Sequence, residues 1–299
     1  MAAQGAFPRF KSEEGRARYM AAYDAALAEW PVPYEELDVP TRLGTTHVIA
    51  SGRPDAPPLM LLPSFAGSAV VWRLNVEALS RRFRTYAVDV IGQPGKSLAP
   101  RRVRHRRQFA GWFATCWTAW ASSARRSSAA RSAAVNQAVE TPERVDRVVL
   151  ISPAGTFASQ WWKLTYAMRI RAPALRLWRR LAGSPKRPSL ADLSPRVAPK
   201  DLKWAALIGT TMAVSAKVSV INPSVFSTRQ LRAIRAPMLL LIGEQETLYA
   251  PAAMLALAKA RMPQLQIALV PDADHIAAMA QPEDANARLL AFLGAANSR

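Results

Sequence analysis

At 299 residues, half of them apolar, the chain can bury one large core, and one cysteine with three scattered histidines excludes a disulfide framework and a thiolate or histidine-rich metal site. A formal charge of +19 raises phosphate backbones and anionic surfaces as partners, yet the cations are dispersed, gathering mildly at Arg101–Arg107 and Lys163–Arg187 without zinc-finger, RNA-recognition or basic-zipper spacing, so they read as a solvated surface and not a specific nucleic-acid site. No run of about 18 apolar residues could span a membrane and the N-terminus has no apolar signal core, which predicts an unexported protein of the reducing cytoplasm.

In chain order, Ser12 can cap a helix whose Tyr19, Tyr23, Leu27 and Trp30 recur at helical spacing, with Pro31 at its end. This predicts an amphipathic arm over residues 1–40. Six short apolar runs follow, Thr45–Ala50, Pro58–Leu62, Arg84–Val88, Arg147–Ile151, Pro237–Ile242 and Leu265–Val270, each bounded by turn residues. Runs without clear alternation suit strands buried on both faces of a parallel sheet, and the helical stretches between them supply right-handed crossovers. Between Phe157 and Ala236 the pattern changes to Trp-, Met-, Arg- and Pro-rich helical segments without convincing strands. The reading is an α/β core over 41–156 and 237–299, with a helical cap, 157–236, inserted over the carboxyl edge of the sheet.

Ligands of open α/β sheets bind beyond the carboxyl ends of the strands. Four such places hold informative groups. Pro63–Ser68 is a small-residue turn able to aim the Phe65 N–H at an oxyanion, or else a plain β-turn. Asp89–Ser97, DVIGQPGKS, is a glycine loop without phosphate-loop spacing. Gly243–Glu246 and Pro271–His275 end the last two predicted strands. Neighbouring parallel strands would set those two loops side by side, so that Glu246 accepts the Nδ1–H of His275, fixes its tautomer and stabilises its imidazolium. The plainer alternatives are a structural histidine and a solvated loop carboxylate.

Together these segments resemble the α/β-hydrolase superfamily in its cap-bearing esterase and haloperoxidase-like branch, over nearly all of residues 40–299. LLPSFAGS stands where that family has its oxyanion turn, with Pro63-Ser64 in place of the usual His-Gly. DVIGQPGKS matches its D-x-x-G-x-G-x-S loop, PERVDRVVLISPAGTF the strand leading to the cap, IGEQETLYAP the acid loop, with Glu246 in place of the commoner Asp, and PDADHIAAMAQPEDANARLLAFL the histidine loop and last helix.

The resemblance implies a Gly-x-Ser-x-Gly nucleophile elbow between about Ala114 and Asn136, and none is there. The stretch Thr115–Ala134 reads TCWTAWASSARRSSAARSAA. Read one base earlier, its codons permit DVLDGLGIERASLVGSSFGG, a helix end, a buried strand and an elbow in the family's order. The first Leu, the second Asp and the second Gly of that string are forced by the genetic code. A compensated frameshift, restored near Val135, is the inference. The shifted serine codon straddles Ala130 and Arg131, so the chain as written has no nucleophile. Burying Arg125, Arg126 and Arg131 in a central strand costs several kcal/mol each, which predicts poor folding or a segment expelled from a gapped sheet. Cys116, Ser127, Ser128 and Ser132 lack the glycine-flanked turn that makes a nucleophile.

With an intact elbow the resemblance implies acyl transfer on a small or medium hydrophobic carboxylic ester, with no cofactor and no metal. Trp72, Trp161 and Trp162, and further along Tyr166, Met168 and Trp178, are candidate pocket walls, or cap-to-core packing. The expected assembly is a monomer or homodimer. Alternatives are a non-catalytic pseudohydrolase or binding module, or C–C hydrolysis, dehalogenation or perhydrolysis on the same fold.

Overall fold

The structure, a computed structural model, describes residues 9–64, 67–120, 127–130, 133–159, 202–217 and 225–295. A short strand β1 (Arg9–Phe10) leads into α1 (Glu13–Leu27). Ser12 caps α1 as its sequence predicts, its Oγ accepting the Gly15 N–H at 3.0 Å, with Glu13 and Glu14 on the positive end of the helix dipole. Tyr19, Tyr23, Leu27 and Trp30 are all buried.

Among the described residues the main sheet has eight strands. In chain order they are β2 (Tyr34–Thr41), β3 (Gly44–Ser51), β4 (Pro58–Leu61), β5 (Arg84–Val88), β6 (Ser127–Ala130), β7 (Val145–Ile151), then, past a short β8 (Ser215–Lys217), β9 (Met238–Gly243) and β10 (Gln266–Val270). They lie in the order β10-β9-β7-β6-β4-β5-β3-β2. The β2–β3 and β3–β5 pairs are antiparallel and all others parallel. All six predicted runs are strands of this sheet. The crossovers are α2 (Val76–Ser80), α3 (Arg106–Trp120), α4 (Ala133–Glu140), α5 (Leu202–Val214), α6 (Thr228–Arg232) and α7 (Pro251–Arg261), and the chain closes with α8 (Ala277–Ala280) and α9 (Pro282–Gly294).

Successive strand residues point to opposite faces and build two cores. Met60 and Leu62 join Trp112, Phe113, Val135, Leu231 and Met254, from α3, α4, α6 and α7. Leu59 and Leu61 join Tyr19, Trp72, Leu79, Trp204 and Leu289, from the side carrying α1, α2, α5, α8 and α9.

Three sequence expectations need correction. Tyr34–Thr41, assigned above to the helical arm, is an edge strand. Its Glu35, Glu36, Asp38 and Pro40 belong where a ladder faces solvent, because charge and proline protect an edge from further pairing. The stretch expected to be free of strands contributes β8, which pairs antiparallel with β1, while α5 packs on α1 and the Val214 carbonyl accepts the Lys11 N–H at 2.8 Å. Finally, the sheet is not gapped. β6 runs between β4 and β7, with Leu61 opposite Ala130 and Ala130 opposite Val149. Backbone ladders form whatever the side chain, and the four residues of β6 are Ser, Ser, Ala and Ala, so no guanidinium stands in the strand. Arg125, Arg126 and Arg131 lie outside the described residues.

Candidate active site

The carboxyl ends of β9 and β10 are stitched together by main-chain hydrogen bonds. Glu244 N donates to Val270 O at 3.0 Å and Gln245 N to Ala273 O at 2.9 Å. Gly243 makes this approach possible, since a Cβ there would stand 2.2 Å from the Ala273 carbonyl oxygen and 2.4 Å from that of Asp274. The Asp274 carboxylate accepts the Ile276 N–H at 3.1 Å and fixes the turn that carries the next side chain.

That side chain is His275. Its Nδ1 lies 2.9 Å from both carboxylate oxygens of Glu246, the pairing read from the sequence. The Glu246 carboxylate is fully buried while the imidazole keeps 28% of its surface exposed, so one ring edge is held from below and the other stays open. Burial pushes the Glu246 carboxyl up, but the His275 hydrogen bond and charge and the Leu248 and Thr247 N–H groups outweigh it and hold the pKa below the ordinary value. The Tyr249 ring stands edge-on to His275 at 6.4 Å between centroids, closing a third side.

Across the same sheet edge, the turn after β4 is closed by Gly67 N donating to Ser64 O at 3.0 Å. Phe65, the expected oxyanion donor, lies outside the described residues, as do Trp161 and Trp162. Trp72 is buried, its Nε1 donating to Leu62 O at 3.1 Å. The structure thus places Trp72 in core packing rather than on a pocket wall, because its indole N–H is used up in holding the strand end.

Sequence reasoning missed what secures this turn. Asp89, fully buried, accepts the Ala69 N–H at 2.7 Å through Oδ1 and the Lys96 N–H at 2.8 Å through Oδ2. His47 sits 3.2 Å from Asp89 by Nδ1 and 2.9 Å from Glu36 by Nε2, and Lys96 Nζ reaches Glu36 at 2.7 Å and Asp24 at 3.0 Å. The D-x-x-G-x-G-x-S pattern marked Asp89, and nothing in the sequence distinguished His47. Gly95, at φ +153°, clears the carboxylate, which a Cβ would meet at 2.5 Å.

At the position expected for the nucleophile, β6 ends at Ala130 and α4 begins at Ala133; Arg131 and Ser132, between them in sequence, lie outside the described residues. Ser127 and Ser128 lie within the paired strand. Cys116 is buried in α3, and that burial pushes its thiol up to about 12, so no thiolate is available there either. Among the described residues no cluster of three or more potential ligands could hold a metal ion.

No protein-family profile matches the chain. It is 33% identical to the carboxylesterase YbfK of Bacillus subtilis over 291 residues, 95% of this chain and 96% of that protein. The chain belongs to the α/β-hydrolase superfamily. An uncharacterized carboxylesterase of Bacillus subtilis, nap, is 30% identical over 93% of each chain. Among solved structures, the hydrolase is similar to the naproxen esterase of Bacillus subtilis, with TM-score 0.79, 28% identity and coverage of 95% of this chain and 99% of that one. It is similar also to the carboxylesterase CesB (YbfK), with TM-score 0.76, 31% identity and coverage of 95% and 100%. The hydrolase therefore keeps the superfamily's sheet, sets Glu246 and His275 together at its carboxyl edge, and has no Gly-x-Ser-x-Gly motif in its sequence.

Proposed function

We propose that this hydrolase is built to cleave small or medium hydrophobic carboxylic esters by Ser-His-acid acyl transfer, and that the chain as written is impaired because its nucleophile elbow has been replaced through a compensated frameshift. The observation that carries the reading is the His275–Glu246 pair, seated beyond the carboxyl ends of neighbouring strands in a chain whose relatives are carboxylesterases. With a serine at the end of β6, its hydroxyl attacks the ester carbonyl while His275 Nε2 takes the proton. Glu246 holds Nδ1–H and stabilises the imidazolium, which then protonates the leaving alkoxide. The Phe65 N–H and the N–H following the serine receive the oxyanion. A water activated by the same imidazole releases the acyl group. None of these steps calls on a cofactor. We place the protein in the cytoplasm, as a monomer or homodimer, where its unpaired Cys116 stays reduced.

The second reading, a pseudohydrolase that retains the pocket, is favoured by Ala130 and Arg131 at the nucleophile position. Replacing Thr115–Ala134 by DVLDGLGIERASLVGSSFGG separates the two. The expected outcome is hydrolysis of p-nitrophenyl butyrate by the repaired chain, abolished by His275→Ala, against none by the chain as written. A repaired chain that unfolds cooperatively yet cleaves no ester sinks the esterase reading, and coding DNA without the shifted frame sinks the frameshift.

A further inference from the structure

Cations that are scattered along the sequence are sorted in space. On the face of the sheet covered by α1, α2, α5 and α9, basic residues sit beside carboxylates: Arg16 with Glu13, Arg81 with Glu77, Lys203 with Glu29 and Arg288 with Asp284. The opposite face differs. Its α3 with the loop before it (101–120), its α6 with the loop around it (225–237) and its α7 (251–263) contain no Asp or Glu at all. They hold the five arginines of Arg101–Arg107, then Arg229, Arg232, Arg235, Lys259 and Arg261. Of the described helices on that face, only α4 carries a carboxylate, Glu140.

Contacts join these segments into one surface. The Arg106 guanidinium lies over the Phe226 ring at 5.2 Å, Arg261 donates to Phe226 O, and Arg232 donates to Ala260 O. Lys259 is spent on the carbonyl of Leu265 at 2.6 Å. Among the described residues none of these cations is ion-paired, and Arg101, Arg102, Arg104, Arg107, Arg229, Arg232 and Arg235 are exposed. The surface begins at the catalytic edge of the sheet, since Leu98, just before Arg101, exchanges hydrogen bonds with Thr45 beyond the carboxyl end of β5.

We propose that this acid-free face of α3, α6 and α7 is a docking surface for an anionic lipid bilayer. Uncompensated guanidiniums spread over several convex helices suit a broad, diffuse negative surface, whose attraction sums over dispersed charges and needs no groove. A nucleic-acid platform stacks bases on exposed aromatic rings. Here Phe109, Trp112, Phe113 and Phe226 are all buried in the core.

Co-sedimentation of the full chain with vesicles tests the assignment. Binding is expected to vesicles of phosphatidylcholine mixed with phosphatidylglycerol, to fall steeply with salt, and to be absent with phosphatidylcholine alone. An attraction of about 1 kcal/mol per basic residue near such a surface corresponds to roughly five-fold in partitioning, so R107A/R229A/R235A together lower it by about a hundred-fold. The matched variant R16A/R81A/R288A removes three charges from the opposite face and should change it less than about two-fold, with circular dichroism verifying that both variants fold. Equal losses from the two variants, or equal binding to both vesicle types, overturn the proposal. Displacement from the vesicles by duplex DNA at matched phosphate concentration overturns it in favour of a nucleic acid.

Discussion

Asp89→Ala probes what holds the turn after β4 against the rest of the sheet edge. The carboxylate is fully buried and removes three needs at once: the N–H groups of Ala69 and Lys96 and the imidazole of His47. A buried donor left without a partner costs about 1–3 kcal/mol, and breaking a buried ion pair by deleting one side about 3–5 kcal/mol. Because the same side chain supplies all three contacts, these costs overlap, and the expected loss is about 3–5 kcal/mol out of a total of about 5–15. Urea denaturation followed by tryptophan fluorescence reads it as a lower midpoint at unchanged slope. A loss below about 1 kcal/mol would refute the view that Asp89 ties the turn to the glycine loop.

The same network has a sign in pH. Burial lowers the His47 pKa, but its hydrogen bonds to Asp89 and Glu36 and the Asp89 charge raise it more, so the folded value lies above the ordinary 6.5. A group whose folded pKa is raised contributes stability fully below its unfolded pKa and loses it as pH rises through the folded value. The urea midpoint of the chain should therefore decline from about pH 6 toward alkaline pH, and His47→Gln should flatten that decline. An unchanged slope in the variant excludes His47 as its source.

Other expectations follow from single contacts. In the repaired chain, Glu246→Gln should lower kcat on the order of 10³–10⁴-fold with KM little changed, measured on p-nitrophenyl butyrate, because the amide no longer fixes the His275 tautomer. The lowered Glu246 pKa gives stability that is present above its ordinary 4.5 and lost as pH falls through the folded value, a dependence Glu246→Gln should remove from acid titrations. Cys116, with its thiol pushed up to about 12, should resist iodoacetamide at pH 8 until urea unfolds the chain, as read by mass spectrometry. Gly95→Ala, at φ +153° and 2.5 Å from Asp89, should cost more than about 1 kcal/mol in the same urea experiment.

What the sequence shows of this fold depends on burial. Pro58–Leu61 and Met238–Gly243 are apolar because both their faces are covered, and a run of that kind is visible without partners. Tyr34–Thr41 was missed because an edge strand is selected for charge on its open side, which in one dimension looks like a linker. Ser127–Ala130 is excluded from the sheet when its neighbours Arg125, Arg126 and Arg131 are counted into the strand; the strand is only Ser-Ser-Ala-Ala, and pairing on both sides defines it. The contact between Glu246 and His275 is legible because two consecutive parallel strands fix the relation of the loops that follow them. His47 was not, since its partners come from β2 and from the loop after β5, 11 and 42 positions away. The sorting of charge between the two faces is likewise a property of the folded arrangement, in which residues near 104, 229 and 261 become neighbours.

The Glu246–His275 pair does not take its position from the segment 115–134. Glu246 and His275 are set by hydrogen bonds between the ends of β9 and β10, by Gly243 and by the Asp274 turn, and among the described residues none of these hydrogen bonds involves 115–134. β6, for its part, is held by ladders to β4 and β7 that ask nothing of its side chains. Strand and side-chain pair are thus separable at this edge: β6 can carry Ser-Ser-Ala-Ala while Glu246 still holds His275. By the same reasoning, a serine restored at the tip of β6 meets an imidazole already oriented by its carboxylate, so activity should return with the elbow alone and need no compensating change around Glu246 or His275.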